Sequence, residues 1–207
     1  MLSTAQTWPL IESQSLVACG HEKRALAVQL SRWVSQGRLM RLRRGLYMLC
    51  EPYQRVSPSR EYVANFLRRP SFISFESALA FHNIIPEGTP LLRSVTTSRP
   101  GLFSIELGEF DYRHVAASRF FGYRECSMAS GSALIATPER ALLDLLYFMK
   151  GLIDEARIRE LRLQNLEDLD LNMLQSQALR YESPRLASGA ALLRAVVERE
   201  QQELETL

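Results

Sequence analysis

The chain has 207 residues, of which 46% are hydrophobic and 23% charged, with a formal net charge of +2. This composition is typical of one large or two small globular domains and argues against bulk disorder. No apolar run approaches the ~20 residues of a membrane-spanning helix, and the first fourteen residues lack the pattern of a secretory signal. Cys19, Cys50 and Cys126 have no zinc-knuckle or redox spacing. We therefore expect reduced thiols and a cytoplasmic protein that does not bind membranes.

The charges are distributed unevenly along the chain. Residues 21–69 contain eleven basic residues and three acids, a net charge of +8. Residues 151–207 contain seven arginines and eleven acids, a net charge of −4. An asymmetry of this kind predicts that the N-terminal third meets a polyanion.

The first predicted elements are helices. Residues 8–19 contain enough apolar residues for one or two short helices. Further on, apolar residues recur at spacings of four, three and four, which predicts a helix from about Glu22 to Gln36 with Gly37 as its stop. The residues of this repeat are Leu26, Leu30, Trp33 and Gly37. No clear turn signal of the usual kind separates the two helical segments.

A basic hairpin is predicted next, in the segment GRLMRLRRGLYML. Met40 and Leu42 alternate with Arg41 and Arg43, so the arginines are expected on the exposed face of a strand. Arg44-Gly45 supplies the turn, and a second strand follows over residues 46–49. The alternative is a solvated hairpin without a ligand, whose arginines deter pairing at a sheet edge.

Helices followed by a hairpin predict a winged helix-turn-helix over residues 1–52. In that arrangement the last helix enters the major groove of double-stranded DNA, and the hairpin lies beside the phosphates, where Arg is favoured. The predicted groove contacts are Lys23, Arg24, Ser31 and Arg32. The predicted phosphate contacts are Arg38, Arg41, Arg43 and Arg44, with Tyr47 either bonding a phosphate or packing.

The remainder predicts a mixed α/β C-terminal domain over residues 59–207 that ends in helices, so the fold class is α+β. Pro52 to Pro58 is the expected linker, and Ser59 caps a helix over residues 60–68. A short strand at 72–75 and a helix at 77–82 precede strands at 95–97, 102–107, 110–115 and 119–123. Thr137-Pro138-Glu139 begins another helix. In the last helix, one face is expected to carry Leu186, Ala190, Leu193 and Val197.

No enzyme active site, metal site or cofactor site is predicted. The three histidines lack metal-ligand spacing, and no glycine-rich phosphate loop is present. Glu139 and Asp144 lie five residues apart, so they do not face each other as paired acids. Glu139 is expected to favour the helix dipole and Asp144 to tie its helix to a neighbour. Six other polar residues either line a surface for a partner or a nucleic acid, or are ordinary surface residues of a sheet: Ser74, Glu76, Arg99, Tyr112, His114 and Tyr123.

Four segments in chain order resemble the AbiEi-type antitoxins, the transcriptional regulators of type IV (AbiE) toxin–antitoxin systems. SRWVSQGRLMRLRRGLYML resembles the wing of that family, and FISFESALAFHNIIP resembles its strand-then-helix segment. VTTSRPGLFSIELGEFDYRHVAASRFFGY is similar to the central β-rich stretch, and IATPERALLDLLYF to the A-S/T-P-E-K/R-A-L-L-D segment. The resemblance covers about residues 29–148.

This resemblance implies a two-domain regulator. The winged domain would bind inverted repeats in its own promoter as a repressor, with two copies on the DNA. The C-terminal domain would carry antitoxin activity against a nucleotidyltransferase-like toxin encoded by a neighbouring gene, generally without direct contact between the two proteins.

Two other functions remain open at this point. The chain is either a protein- or RNA-interaction module with a merely basic N-terminal region, or an enzyme that reverses a modification made by the toxin. Salt separates a protein-interaction module from DNA binding, because contacts to phosphates weaken steeply at high salt whereas binding to a protein should barely weaken. The second requires an acid–base constellation that the sequence does not display.

Overall fold

The computed structural model describes residues 9–54, 56–86 and 88–205 of the chain. The fold is mixed α+β, as predicted, and it divides into two compact units. The first unit comprises Met1–Arg69 and Ser127–Ala133, and the second comprises Pro70–Cys126 and Leu134–Leu207. The first unit therefore extends beyond the predicted domain end at residue 52 and is completed by a distant segment. Within the described ranges, no helix combines the length and hydropathy needed to cross a membrane.

The first unit contains a three-stranded sheet and three helices among the described residues. Its elements are β1 (Leu10–Glu12), α1 (Ser13–Ala18), α2 (Lys23–Ser35), β2 (Leu39–Arg43), β3 (Leu46–Leu49) and α3 (Arg60–Leu67). The sheet is antiparallel in the order β1-β3-β2. In the sequence, helices α1 and α2 thus lie between the outer strand β1 and the hairpin β2–β3.

The stretch before α1 differs from the prediction. Leu10 and Ile11 form a strand rather than part of a helix, because they pair with Met48 and Tyr47 of β3 and are buried against the sheet. Trp8, at the start of the predicted helical stretch, lies outside the described residues.

Helix α2 confirms the predicted repeat. Its buried face carries Leu26 and Leu30, which pack into a core cluster with Ile11, Leu39 and Leu49. The Glu22 carboxylate caps its N-terminus by accepting hydrogen bonds from the backbone N–H groups of Arg24 (2.8 Å) and Ala25 (2.6 Å). These bonds lower the pKa of Glu22. At the other end, Gly37 has the positive φ (+66°) expected of a helix stop.

Cys19 and Gly20 form the turn between α1 and α2 that the sequence analysis missed. Gly20 has a φ of +92°, and its N–H donates to the carbonyl of Val17. The N–H of His21 donates to the carbonyl of Leu16. A glycine in this conformation ends α1 and lets α2 begin three residues later, so a four-residue turn joins the two helices.

The hairpin β2–β3 is present, but its alternation is interrupted. The register shifts between Arg41 and Arg43, so Leu42 is an extra residue opposite β3. Such a bulge turns the following side chains relative to the sheet. Leu42 is buried and Arg41 is exposed, as the alternation predicts, but Arg43 after the bulge is half-buried. The predicted exposed face of arginines is therefore wrong for Arg43.

The second unit is built on a mixed six-stranded sheet in the order β6-β7-β5-β4-β9-β8. Its strands are β4 (Ser71–Ile73), β5 (Leu91–Thr96), β6 (Gly101–Ile105), β7 (Gly108–His114), β8 (Tyr123–Met128) and β9 (Gly131–Ala136). Its helices are α4 (Phe75–Phe81), α5 (Pro138–Phe148), α6 (Glu155–Glu160), α7 (Leu171–Arg180) and α8 (Pro184–Glu205), with 3₁₀ turns at Ala117–Arg119 and Leu166–Asp168. The predicted strand at 119–123 is wrong, because a 3₁₀ turn precedes it and β8 begins only at Tyr123.

The predicted helix caps in the two units and the predicted buried face of the last helix are confirmed. Ser59, in the first unit, and Thr137 both cap helices with their hydroxyl oxygens, which accept backbone N–H groups three residues on. Pro138 occupies the first turn of α5. The four apolar residues predicted on one face of α8 are all fully buried.

A buried charge cluster ties α5 to its surroundings. The Asp144 carboxylate accepts hydrogen bonds from the hydroxyl of Ser74 (2.6 Å), the hydroxyl of Tyr181 (2.6 Å) and the guanidinium of Arg140 (2.9 and 3.0 Å). The side chains of Arg140 and Asp144 are both fully buried. Asp144 therefore links its helix to neighbouring elements, as predicted, through two hydroxyls and an arginine of its own helix.

Candidate nucleic-acid interface

The outward face of α2 is a broad exposed surface. One row along the helix carries Arg24, Val28 and Arg32 at intervals of four residues, and all three are exposed. A second row, displaced by one residue, carries the small side chains of Ala27, Ser31 and Ser35. Residues four apart lie on one face of a helix, so the two rows form one continuous strip.

Val28 is the unexpected member of this surface. Its side chain is 66% exposed, although it lies between the buried residues Leu26 and Leu30 in the sequence. The sequence did not mark Val28 as a candidate contact, because valine is a residue type that is usually buried. The signal was its position: Val28 falls outside the repeat of four, three and four residues that marks the buried face.

A groove beside α2 brings several of the predicted residues together. It has a volume of about 570 Å³ and is bordered by α1, α2 and the hairpin turn. Four predicted residues line it: Lys23, Arg43, Arg44 and Tyr47. Among its lining residues, the single carboxylate is Glu12, which pairs with Arg69 at 3.2 Å. The groove is therefore cationic, with an apolar floor formed by Leu26 and Leu30.

Arg43 has a structural role at the edge of this groove. Its guanidinium donates hydrogen bonds to the backbone carbonyls of Phe66 (3.0 Å) and Arg44 (3.1 Å). The bond to Phe66 attaches the hairpin to the C-terminal part of α3, and the bond to Arg44 lies within the hairpin turn. The expectation that Arg43 lies on an exposed strand face is therefore corrected, because the bulge directs it towards α3.

The other predicted residues are distributed around the groove. Arg41 and Arg44 are exposed on the hairpin, and Arg38 is exposed with its guanidinium 5.7 Å from the ring centroid of Tyr53. Arg38 and Arg41 do not line the groove. Tyr47 is half-buried, and its ring packs against the core cluster.

The polar residues singled out in the second unit do not form one surface. Ser74 and Tyr112 are fully buried, and Ser74 is held by Asp144. Glu76 pairs with Arg93 at 2.8 Å, and the ring of Tyr123 stacks on Phe72. A partner surface made of the whole set is therefore excluded.

His82, one of the three histidines, and Glu139 both have hydrogen-bond partners within the fold. The Nε2 atom of His82 lies 2.8 Å from the carbonyl of Ala136, and burial lowers the pKa of this half-buried imidazole. Glu139 accepts a hydrogen bond from the N–H of Asp170 at 3.0 Å. In the described part of the chain, no cluster of histidine, cysteine or acidic side chains is arranged to hold a metal ion.

No protein-family model matches the chain, and no curated protein shows significant sequence similarity to it.

Proposed function

We propose that this protein is a DNA-binding transcriptional regulator of the AbiEi type. Its first unit would be a winged helix-turn-helix that represses its own operon, and its second unit would act as the antitoxin of a type IV toxin–antitoxin system. The protein would act without catalysis or a cofactor, and its nucleic-acid partner would be double-stranded promoter DNA.

The observation that carries the DNA-binding proposal is the convergence of cations on one side of the first unit. Lys23 from α2 and Arg44 from the hairpin turn line the same groove, and the exposed strip of α2 adjoins it through Ala27. Helix N-termini and arginine side chains are the usual phosphate contacts of DNA-binding proteins. The arrangement supports a helix in the major groove with a hairpin on the backbone.

The order of the elements adds a second line of support. The pair α1–α2 is joined by a four-residue turn and is followed directly by the hairpin β2–β3. Strand β1, which precedes the pair, joins the same sheet beside β3. A helix-turn-helix needs this kind of support, because its second helix must present one face outwards while the other packs on a core.

The antitoxin part of the proposal depends on the four resembling segments. Three of them lie in the second unit, and the last includes Thr137, Arg140 and Asp144. Two of these residues form the buried charge cluster, so this segment serves the core of the unit. The proposed counterpart is a nucleotidyltransferase-like toxin from a neighbouring gene.

Gel-shift titration on DNA from immediately upstream of the gene tests DNA binding. The wild-type protein should form a specific complex that weakens steeply between two salt concentrations, because bound phosphates release counterions. The variant Arg41→Glu/Arg44→Glu should lose specific binding, since both side chains are exposed and their reversal repels phosphates. Neutral Gln at either position should lower the salt slope by about one unit per lost phosphate contact.

The control variant is Arg99→Glu/Lys150→Glu, which changes the net charge equally at exposed positions of the second unit. It should bind like wild type, and both variants should keep the wild-type circular dichroism spectrum. Arg43 is left intact because its bonds to the carbonyls of Phe66 and Arg44 stabilise the fold. Equal shifts with any DNA, or binding that is insensitive to salt, would instead favour the interaction-module alternative.

A further inference from the structure

Val28, near the centre of α2, is an exposed apolar residue that does not contribute to the core. Val28 is 66% exposed, and its helical neighbours four residues away on either side are both arginines. A row of Arg24, Val28 and Arg32 spans eight residues, or about 12 Å along the helix axis. That length is similar to the width of the major groove, about 12 Å.

The neighbours of Val28 allow close approach to a flat partner. Ala27, Ser31 and Ser35 in the adjacent row are small, so on that side of Val28 no long side chain holds a base edge away. The flanking arginines supply positive charge at both ends of the row. The surface therefore fits a partner with anionic edges and an apolar centre, and the major groove of thymine-containing DNA has both features.

We propose that Val28 is a specificity residue that reads the 5-methyl group of thymine in the operator, and this inference rests on the DNA-binding function proposed above. The thymine methyl group is the apolar feature of the major groove, and small apolar side chains contact it in specific complexes. Arg24 and Arg32 would meet the phosphates or guanines on either side of that base. The operator should thus contain a thymine that faces the middle of α2.

The test compares two versions of the same upstream duplex, one prepared with thymine and the other with uracil throughout. Uracil pairs as thymine does but lacks the methyl group. The wild-type protein should bind the uracil duplex roughly 3- to 10-fold more weakly, since each methyl group removed from water contributes about fourfold. Val28→Ala should bind the thymine duplex more weakly than wild type and should lose little further affinity on the uracil duplex.

This double comparison separates the methyl contact from changes in DNA shape. A shape effect of uracil would weaken wild type and Val28→Ala equally, and that outcome would overturn the assignment to Val28. Equal binding of both duplexes by wild type would overturn the thymine contact itself. Leu179→Ala, a truncation of a 70% exposed leucine in α7, is the matched control and should keep the full sensitivity to uracil.

The same protein samples show whether Val28→Ala is folded and whether the wild-type protein binds DNA at all. Alanine has a higher helix propensity than valine, so Val28→Ala should not lower the thermal stability of the protein. If wild type forms no specific complex with the thymine duplex, the DNA-binding function fails and the inference fails with it. If it does, but without a difference between the duplexes, only the inference fails.

Discussion

At the scale of single residues, the buried pair Arg140–Asp144 is the most constrained feature of the second unit. The guanidinium lies within 5.3 Å of the ring centroids of Phe72, Phe121 and Tyr181, and the carboxylate accepts hydrogen bonds from the hydroxyl groups of Ser74 and Tyr181. Burying two charges is unfavourable unless each is fully compensated. Removing either charge therefore leaves the other unpaired in an apolar environment.

Substituting Asp144→Asn should lower the free energy of unfolding by about 3–5 kcal/mol, because Arg140 then keeps an uncompensated buried charge. Urea denaturation followed by circular dichroism measures this loss. The matched control is Glu198→Gln, which removes the acid of the partly exposed pair Arg194–Glu198 at the same spacing of four residues. That change should cost less than about 0.5 kcal/mol. Similar losses in both variants would contradict the role assigned to burial.

Arg43 illustrates what a single residue can hide from sequence reasoning. Its neighbours predicted a phosphate contact, yet its guanidinium bonds a carbonyl 23 residues further along the chain. The carbonyl of Phe66 carries no signal in the sequence, because every residue has one. The distinction between Arg43 and the exposed Arg41 and Arg44 therefore required the three-dimensional position of α3.

At the scale of elements, the turn between α1 and α2 decides how the strip on α2 is presented. Gly20 has a φ of +92°, and no atom lies within 4 Å of the position that a Cβ atom would occupy. A Cβ atom at this position would not clash with other atoms, so the only strain would come from the positive φ of the backbone. Residues with a Cβ atom adopt such a conformation at a cost of roughly 1 kcal/mol.

Gly20→Ala should therefore lower the stability of the protein by about 1 kcal/mol and weaken DNA binding, because relief of the strain changes the direction in which α2 leaves the turn. Thermal unfolding and the gel-shift titration measure the two effects. Gly88→Ala serves as the control, since Gly88 also has open space around its Cβ position and lacks the positive φ. A Gly20→Ala protein with unchanged stability and affinity would show that this turn does not constrain the helix pair.

Elements were predictable where their signals are local. The buried face of α2, its stop at Gly37 and the caps at Ser59 and Thr137 depend on residues within a few positions of each other. Strand β1 was not predictable in this way, because Leu10 and Ile11 become a strand only by pairing with β3, almost forty residues later. The bulge at Leu42 likewise depends on the register between two strands.

At the scale of the whole molecule, the chain divides into two compact units, and the two proposed activities are assigned to different units. The cations proposed to contact DNA lie in the first unit, whereas three of the four resembling segments lie in the second. The predicted α+β class was correct because composition and element types determine it, whereas the winged helix-turn-helix arrangement of the N-terminal part stays a prediction. The extent of the first unit was not predictable, since the inclusion of residues 127–133 depends on contacts such as that between the N–H of Ser59 and the hydroxyl of Ser130 (3.1 Å).

Co-expression with the toxin gene proposed to lie next to this one tests whether the two proposed activities are separable. Arg41→Glu/Arg44→Glu should lose repression of a reporter placed behind the upstream DNA, yet it should still relieve growth arrest by the toxin, because both substitutions lie in the first unit. Asp144→Asn, which weakens the second unit, should show reduced relief of growth arrest. Loss of both activities in the arginine variant, at wild-type protein levels, would contradict two separable functions.

The first unit is made of two separate chain segments, and this also determines the order in which the nascent chain can fold. Ala133, the last residue of the second segment, leaves the ribosome 64 residues after Arg69, so the unit cannot be completed while only its N-terminal part has been made. At synthesis rates of about 5–20 residues per second, this delay is on the order of 3–13 s. The first unit therefore becomes fully folded only after much of the second unit has been synthesised.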